Sequence, residues 1–121
     1  SLKAHEGGAL KGHTMERHVG KSDDYLRHRL RTERKTEVST FTDEAAAERS
    51  IDVLMTATAD RLDHFLRGNK QATEFQAPVS NPGRVMSSSG AVTEGTGARI
   101  LLRKDPSMPE GYRIITAFVV P

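Results

Sequence analysis

The chain has 121 residues, 36% hydrophobic and only 5% aromatic, with a net charge of +2 and a pI near 9.2. That length suits one domain with a lean, aliphatic core. The absence of cysteine excludes a disulfide framework and any zinc–thiolate site.

No apolar run is long enough to span a bilayer, and no signal peptide opens the sequence. Ser1-Leu2 stands where an initiating methionine would, so the chain is expected to be a fragment of a longer protein. Residues 1–3 would be linker and 1–121 a single domain. Charge is unevenly spread. Residues 1–35 carry nine Lys/Arg against five Asp/Glu, residues 36–68 three against seven, and residues 69–121 six against four. Two cationic parts flanking an acidic one suggest an anionic ligand, although solvated helix faces give the same imbalance.

In chain order, residues 1–11 are weakly patterned around Gly7-Gly8, which reads as a turn. Thr14 caps a short helix carrying Met15 and Val19, which Gly20 stops. His18 falls at the border of its inward face. Ser22 caps the next helix, with Asp23 and Asp24 favourably placed in its first turn and Leu26 and Leu30 as its apolar stripe. Arg27, Arg31 and Arg34 lean to solvent, whereas Arg29 borders the buried face. Val38-Ser39-Thr40-Phe41 is β-prone.

Thr42 is expected to open the longest helix. Ala47, Ile51, Leu54, Thr58, Leu62 and Phe65 follow helical spacing up to Gly68, with a break allowed near Thr56-Ala57-Thr58. Thr73, Phe75, Ala77 and Val79 then alternate with Glu74 and Gln76 as a strand. Asn81-Pro82-Gly83 turns the chain into a short return strand, Arg84–Ser87. Residues 88–97 read as a flexible small-residue loop, and residues 99–103 and 112–120 as two strands. Helices first and antiparallel strands afterwards argue an α+β fold.

The motifs of familiar chemistries are missing. His13 and His18 are five apart, off the spacing of a helical metal pair, and there is no Walker loop, GxGxxG or nucleophile elbow. Acid–base chemistry without a metal or cofactor remains. RNA cleavage through the substrate's own 2′-hydroxyl needs a base, a cation for the charge on the phosphorane, and an acid for the leaving oxygen. Histidine suits the first and arginine the second. His18 and Arg29 have these types at the border of buried faces, and Thr116 and Phe118, two apart on the last strand, share a face. Each also has an ordinary reading: a solvated histidine, an ion pair of Arg29 with Glu33, a β-forming threonine, a core phenylalanine.

Several segments in order carry a resemblance. They are His5-Glu6, Gly12-His13-Thr14, His18-Val19-Gly20-Lys21-Ser22, the Leu26–Leu30 helix with Arg29, Ser39-Thr40-Phe41, and Gly111-Tyr112-Arg113 leading to Thr116-Ala117-Phe118. Together they make the chain resemble the bacterial RNase A-like toxin domain at the C-terminus of contact-dependent growth-inhibition proteins (CdiA-CT type) and related polymorphic toxins. The resemblance implies a kidney-shaped RNase A-like fold without disulfides, N-terminal helices packed on a curved antiparallel sheet. It also implies an endoribonuclease toxin, independent of metal, that leaves a 2′,3′-cyclic phosphate on RNA, with transfer RNA among the candidate targets. A cognate immunity protein would block the active site. The domain would be delivered from the cell surface, or secreted, within a larger protein and act in the cytoplasm of the target bacterium.

Position by position, the resemblance places the catalytic histidine at His18, the arginine at Arg29 and a threonine at Thr116. At Phe118 the family pattern has a tyrosine. Phenylalanine can stack on a base but donates no proton, so leaving-group protonation would fall to water, His13, Tyr112 or His5. The alternative is a catalytically weakened RNA- or protein-binding module that keeps the fold. Deoxyribonuclease action is a weaker third reading, since a 2′-hydroxyl mechanism forbids it.

Overall fold

The computed structural model describes residues 18–121. Expectations for His5, Gly7-Gly8, His13, Thr14 and Met15 lie outside these residues. Among them are three helices, α1 (Asp23–Glu33), α2 (Glu44–Ala57) and α3 (Ala59–Arg67). The strands are β1 (Glu37–Phe41), β2 (Ala72–Pro78), β3 (Gly83–Ser87), β4 (Val92–Glu94), β5 (Gly97–Lys104) and β6 (Tyr112–Val120). The α+β class and the antiparallel pairing are as expected. The strands divide between two three-stranded sheets, β1-β3-β4 and β2-β5-β6.

Local sequence sets the helix ends. Ser22 Oγ accepts from the Tyr25 N–H (3.1 Å) at the start of α1, satisfying one of the free donors there. Asp43, not Thr42, caps α2, its carboxylate accepting from Ala46 N–H at 2.8 Å. A carboxylate also complements the helix dipole, which a threonine hydroxyl does not. The long apolar stripe is broken at Thr58, whose buried hydroxyl donates back to the Leu54 carbonyl (2.9 Å). Such back-bonding bends helices, and here it separates α2 from α3.

The main core joins Phe41, Ile51, Leu54 and Phe65 to Phe75, Ile100, Leu102, Ile114 and Val119. A smaller cluster of Leu26, Val38 and Met86, with Tyr25 and Leu30 packed on it, fixes α1 to the first sheet. The guanidinium of Arg84 on β3 adds a polar tie, donating to Asp23 Oδ1 (2.8 Å) and to the Lys21 carbonyl (2.6 Å). Gly83 lies opposite Phe41, and a Cβ there would sit 1.9 Å from the Thr40 carbonyl oxygen. Only glycine lets β3 approach β1 so closely.

Two features depart from the expectation. Val92–Glu94, read as part of a flexible loop, pairs with β3 as an edge strand. All three residues are exposed, so the strand has no apolar alternation to betray it. The second is in β6, where Thr116 pairs with Leu101 and Ile114 with Leu102, leaving Ile115 as an extra residue. This β-bulge places Ile114 in the core with Ala117 and Val119, although Ile114 and Thr116 would share a face in a regular strand.

Candidate active site

A cleft of about 230 Å³ opens where α1, β1 and β6 meet, lined by His18, Arg29, Ser39, Thr116 and Phe118 together with Lys35, Glu37, Val38 and Val119. All four residues singled out in the sequence, drawn from points as much as 100 positions apart, therefore border one space. His18, Arg29 and Thr116 are 8%, 5% and 9% exposed, burial unusual enough for polar groups to demand a reason.

The backbone that follows His18 is fixed. Val19 forms a parallel bridge to Phe41, and the Gly20 N–H donates to the Phe41 carbonyl (2.9 Å). Gly20 takes φ +64°, a left-handed turn that glycine adopts without a Cβ penalty. It lets the chain leave His18 and enter the Ser22 cap of α1. Buried Thr40 ties the same corner: its Oγ1 accepts from Lys21 N–H (3.0 Å) and lies 3.4 Å from the His18 carbonyl oxygen and 2.8 Å from that of Phe41.

Arg29 is buried on α1, and the ordinary reading of its partner also holds. Its Nε donates to Glu33 Oε2 at 3.0 Å and its Nη2 to Glu33 Oε1 at 3.4 Å. This two-pronged pair holds the guanidinium plane and compensates a charge that would otherwise be costly to bury. Among the described residues, Arg29 Nη1 and Thr116 Oγ1 are buried with no hydrogen-bond partner. Native proteins seldom leave such groups unsatisfied, since each costs about 1–3 kcal/mol. Both belong to residues that line the cleft, so two hydrogen-bonding groups lie beside a space suited to an anion's oxygens.

The bulge at Ile115 turns Thr116 and Phe118 to the cleft while Ala117 and Val119 stay in the core. The Phe118 ring centroid is 6.0 Å from that of His18, tilted by 42°. It is also 5.8 Å from the Arg99 guanidinium carbon. Lys35 and Glu37, both exposed, stand at the rim with one charge of each sign.

Ser39, Lys35 and Glu37 carried no site signal in the sequence beyond their place beside a β-prone run. Tyr112, considered as a proton donor, does not line the cleft: it starts β6 opposite Lys104 and packs on the main core. Burial, and then the Glu110 carboxylate, push its phenol pKa up. Among the described residues no three His, Cys, Asp or Glu side chains gather as metal ligands, and no helix is long and apolar enough to cross a membrane.

Comparison with known proteins gives two results. A family model described as the bacterial CdiA-CT RNase A domain matches residues 12–119. The crystal structure of a CdiA-CT/CdiI complex from Y. kristensenii 33638 contains a chain similar to this one, at 35% identity and a TM-score of 0.84. The match covers 91% of this chain and 100% of that one. No curated protein matches.

Proposed function

The chain belongs to the bacterial CdiA-CT RNase A domain family, and on that premise we propose that it is a metal-independent endoribonuclease toxin whose active site is the cleft of His18, Arg29 and Thr116. The observation that carries this reading is the convergence of a histidine, an ion-paired arginine and a buried hydroxyl on one cleft.

His18 takes the proton of the RNA 2′-hydroxyl, and the 2′-oxygen attacks the adjacent phosphorus. Arg29 Nη1 and Thr116 Oγ1 donate to non-bridging oxygens as charge builds on the phosphorane. Such preorganised donors are the larger part of many rate enhancements. The bond from phosphorus to the 5′-oxygen breaks, leaving a 2′,3′-cyclic phosphate and a 5′-hydroxyl. Phe118 has no proton to give, so that oxygen is protonated by water. Its ring instead stacks on the base beside the scissile phosphate, as aromatic platforms do for single strands.

The similar chain was crystallised as a CdiA-CT/CdiI complex. For this protein we expect a cognate immunity protein that covers the cleft and presents an acidic surface to residues 1–35. The domain, residues 1–121, would reach the target cell's cytoplasm as the C-terminal part of a larger exported protein. RNA is its substrate, with transfer RNA the first to try.

The missing phenol at Phe118 favours a second reading, a catalytically weakened binding module. Incubating the protein with transfer RNA and total RNA in EDTA separates the two. Cleavage that disappears in His18→Ala is expected. Intact RNA, or equal cleavage by His18→Ala, contradicts the proposed enzyme. RNA bound but not cut, with cleavage appearing in Phe118→Tyr, favours the weakened module.

A further inference from the structure

The sheet β2-β5-β6 buries one face in the core through Phe75, Ala77, Ala98, Ile100, Leu102 and Ala117. Residues that alternate with these point away from it. In register across the three strands, Phe118 lies opposite Arg99 and Arg99 opposite Gln76, and Arg103 lies directly opposite Arg113. This open face is therefore continuous with the cleft at Phe118 and Thr116, and it runs along β5 to a pair of arginines.

Three observations say what the face is for. Arg99 is held in place: its Nε and Nη2 both donate to Gln76 Oε1, at 2.9 and 2.6 Å, and its guanidinium carbon stacks over the Phe118 ring. Arg103 and Arg113 are cross-strand neighbours of the same charge, an arrangement that destabilises a sheet unless something anionic is shared between them. Asp105 Oδ2 lies 3.9 Å from Arg113 Nε, at the edge of the pair. Finally, Arg103, Arg113, Leu101 and Ile115 line a shallow groove of about 500 Å³ with a single carboxylate, Glu74.

We propose that this face is an extended track for single-stranded RNA flanking the scissile bond. Arg99 on its Gln76 support takes the nucleotide next to the one on Phe118. Arg103 and Arg113 share the phosphate beyond, and Leu101 and Ile115 underlie the bases. Arg99 and Arg103 are four residues apart on β5, about 13 Å at the usual strand rise, so the track reaches more than one nucleotide step from the cleft. Guanidinium groups match phosphate oxygens in planar, two-pronged fashion, and aliphatic side chains tolerate any base. The inference rests on the ribonuclease reading for the direction of the strand, but its binding content stands apart from catalysis.

The test uses the whole protein and the double variant Arg103→Gln/Arg113→Gln. Affinity is measured for a labelled 2′-O-methyl hexanucleotide, which cannot be cleaved by 2′-hydroxyl attack, across a salt series. Cleavage of a dinucleoside monophosphate is measured in parallel. The expected result is about tenfold weaker hexanucleotide binding and a salt slope smaller by about 0.7–1.4, one or two phosphate contacts on a single strand. Dinucleoside cleavage should stay within about twofold of wild type, and the unfolding midpoint should hold or rise as the like-charge pair is removed.

Unchanged hexanucleotide affinity and salt slope overturn the track. If the same variant then loses the immunity protein, the face belongs to that partner. Equal losses on the dinucleoside and the hexanucleotide also overturn it. Wild-type protein that leaves the dinucleoside uncut yet binds the hexanucleotide with an arginine-dependent slope overturns the ribonuclease and keeps the track.

Discussion

Ile114 and Thr116 are two residues apart on one strand yet face opposite sides of it, because Ile115 is an extra residue in the pairing with Leu101 and Leu102. Ile114 fills the main core and Thr116 lines the cleft. β-bulges re-aim side chains in this way beside functional sites. The last strand thus keeps Ile114, Ala117 and Val119 on its core side and turns Thr116 and Phe118 to the cleft.

The bulge has a stability signature. Ile114→Ala removes a side chain that is 4% exposed and should cost about 2–4 kcal/mol. Ile115→Ala, at a half-buried position on the open face, should cost less than about 1 kcal/mol. Urea unfolding of the two variants checks this. A plain alternation counted back from Thr116 predicts the reverse order.

Thr116→Val trades activity against stability. The substitution removes a buried hydroxyl with no hydrogen-bond partner among the described residues, in nearly the same volume. Stability should be unchanged or raised by about 1 kcal/mol, while kcat/KM on RNA falls by about tenfold or more as one phosphorane contact is lost. A loss of stability with full activity would show that the hydroxyl serves the fold instead.

Glu33 positions Arg29, and its removal should be felt at the cleft. Glu33→Gln weakens a pair in which the arginine is buried and the carboxylate partly exposed. About 1–3 kcal/mol of stability is expected to go, less than for a fully buried pair. Activity should fall about tenfold through kcat, because the misplaced donor acts in the transition state. Arg29→Lys keeps the charge but not the fork, and should lose more activity than Glu33→Gln.

Alkaline pH should weaken the fold through Tyr112. Burial raises its phenol pKa above the ordinary value, so the folded state holds the proton more tightly than the unfolded chain. That contribution is fully present below the unfolded tyrosine pKa near 10, and it is lost as pH rises through the folded value. In Tyr112→Phe the extra loss of stability above about pH 10 should be smaller. Thermal unfolding between neutral and strongly alkaline pH measures it.

Much of this was legible in the residues themselves. The spacing from Ala47 to Phe65 marks the helical side of the core, and the weakness at Thr58 follows from a side chain that competes for its own helix's carbonyl. His18 and Arg29 stand at the borders of apolar faces, which is where polar groups can be both fixed and reachable. The bulge left no trace, because Tyr112–Val120 is β-prone throughout and an extra residue changes pairing without changing composition. The edge strand β4 was hidden for a related reason: its pairing uses backbone alone. Ser39 and Lys35 reach the cleft through the tertiary placement of β1 beside α1 and β6, which local sequence does not encode.

The most direct test of the central claim is the fate of a defined oligoribonucleotide cut by the protein in EDTA, with one cleavage site carrying a 2′-deoxy sugar. Cleavage through the 2′-hydroxyl gives 2′,3′-cyclic phosphate ends at ribose sites, no cut at the deoxy site, and no products from His18→Ala. Cleavage at the deoxy site, or 5′-phosphate ends that require added metal, would contradict it.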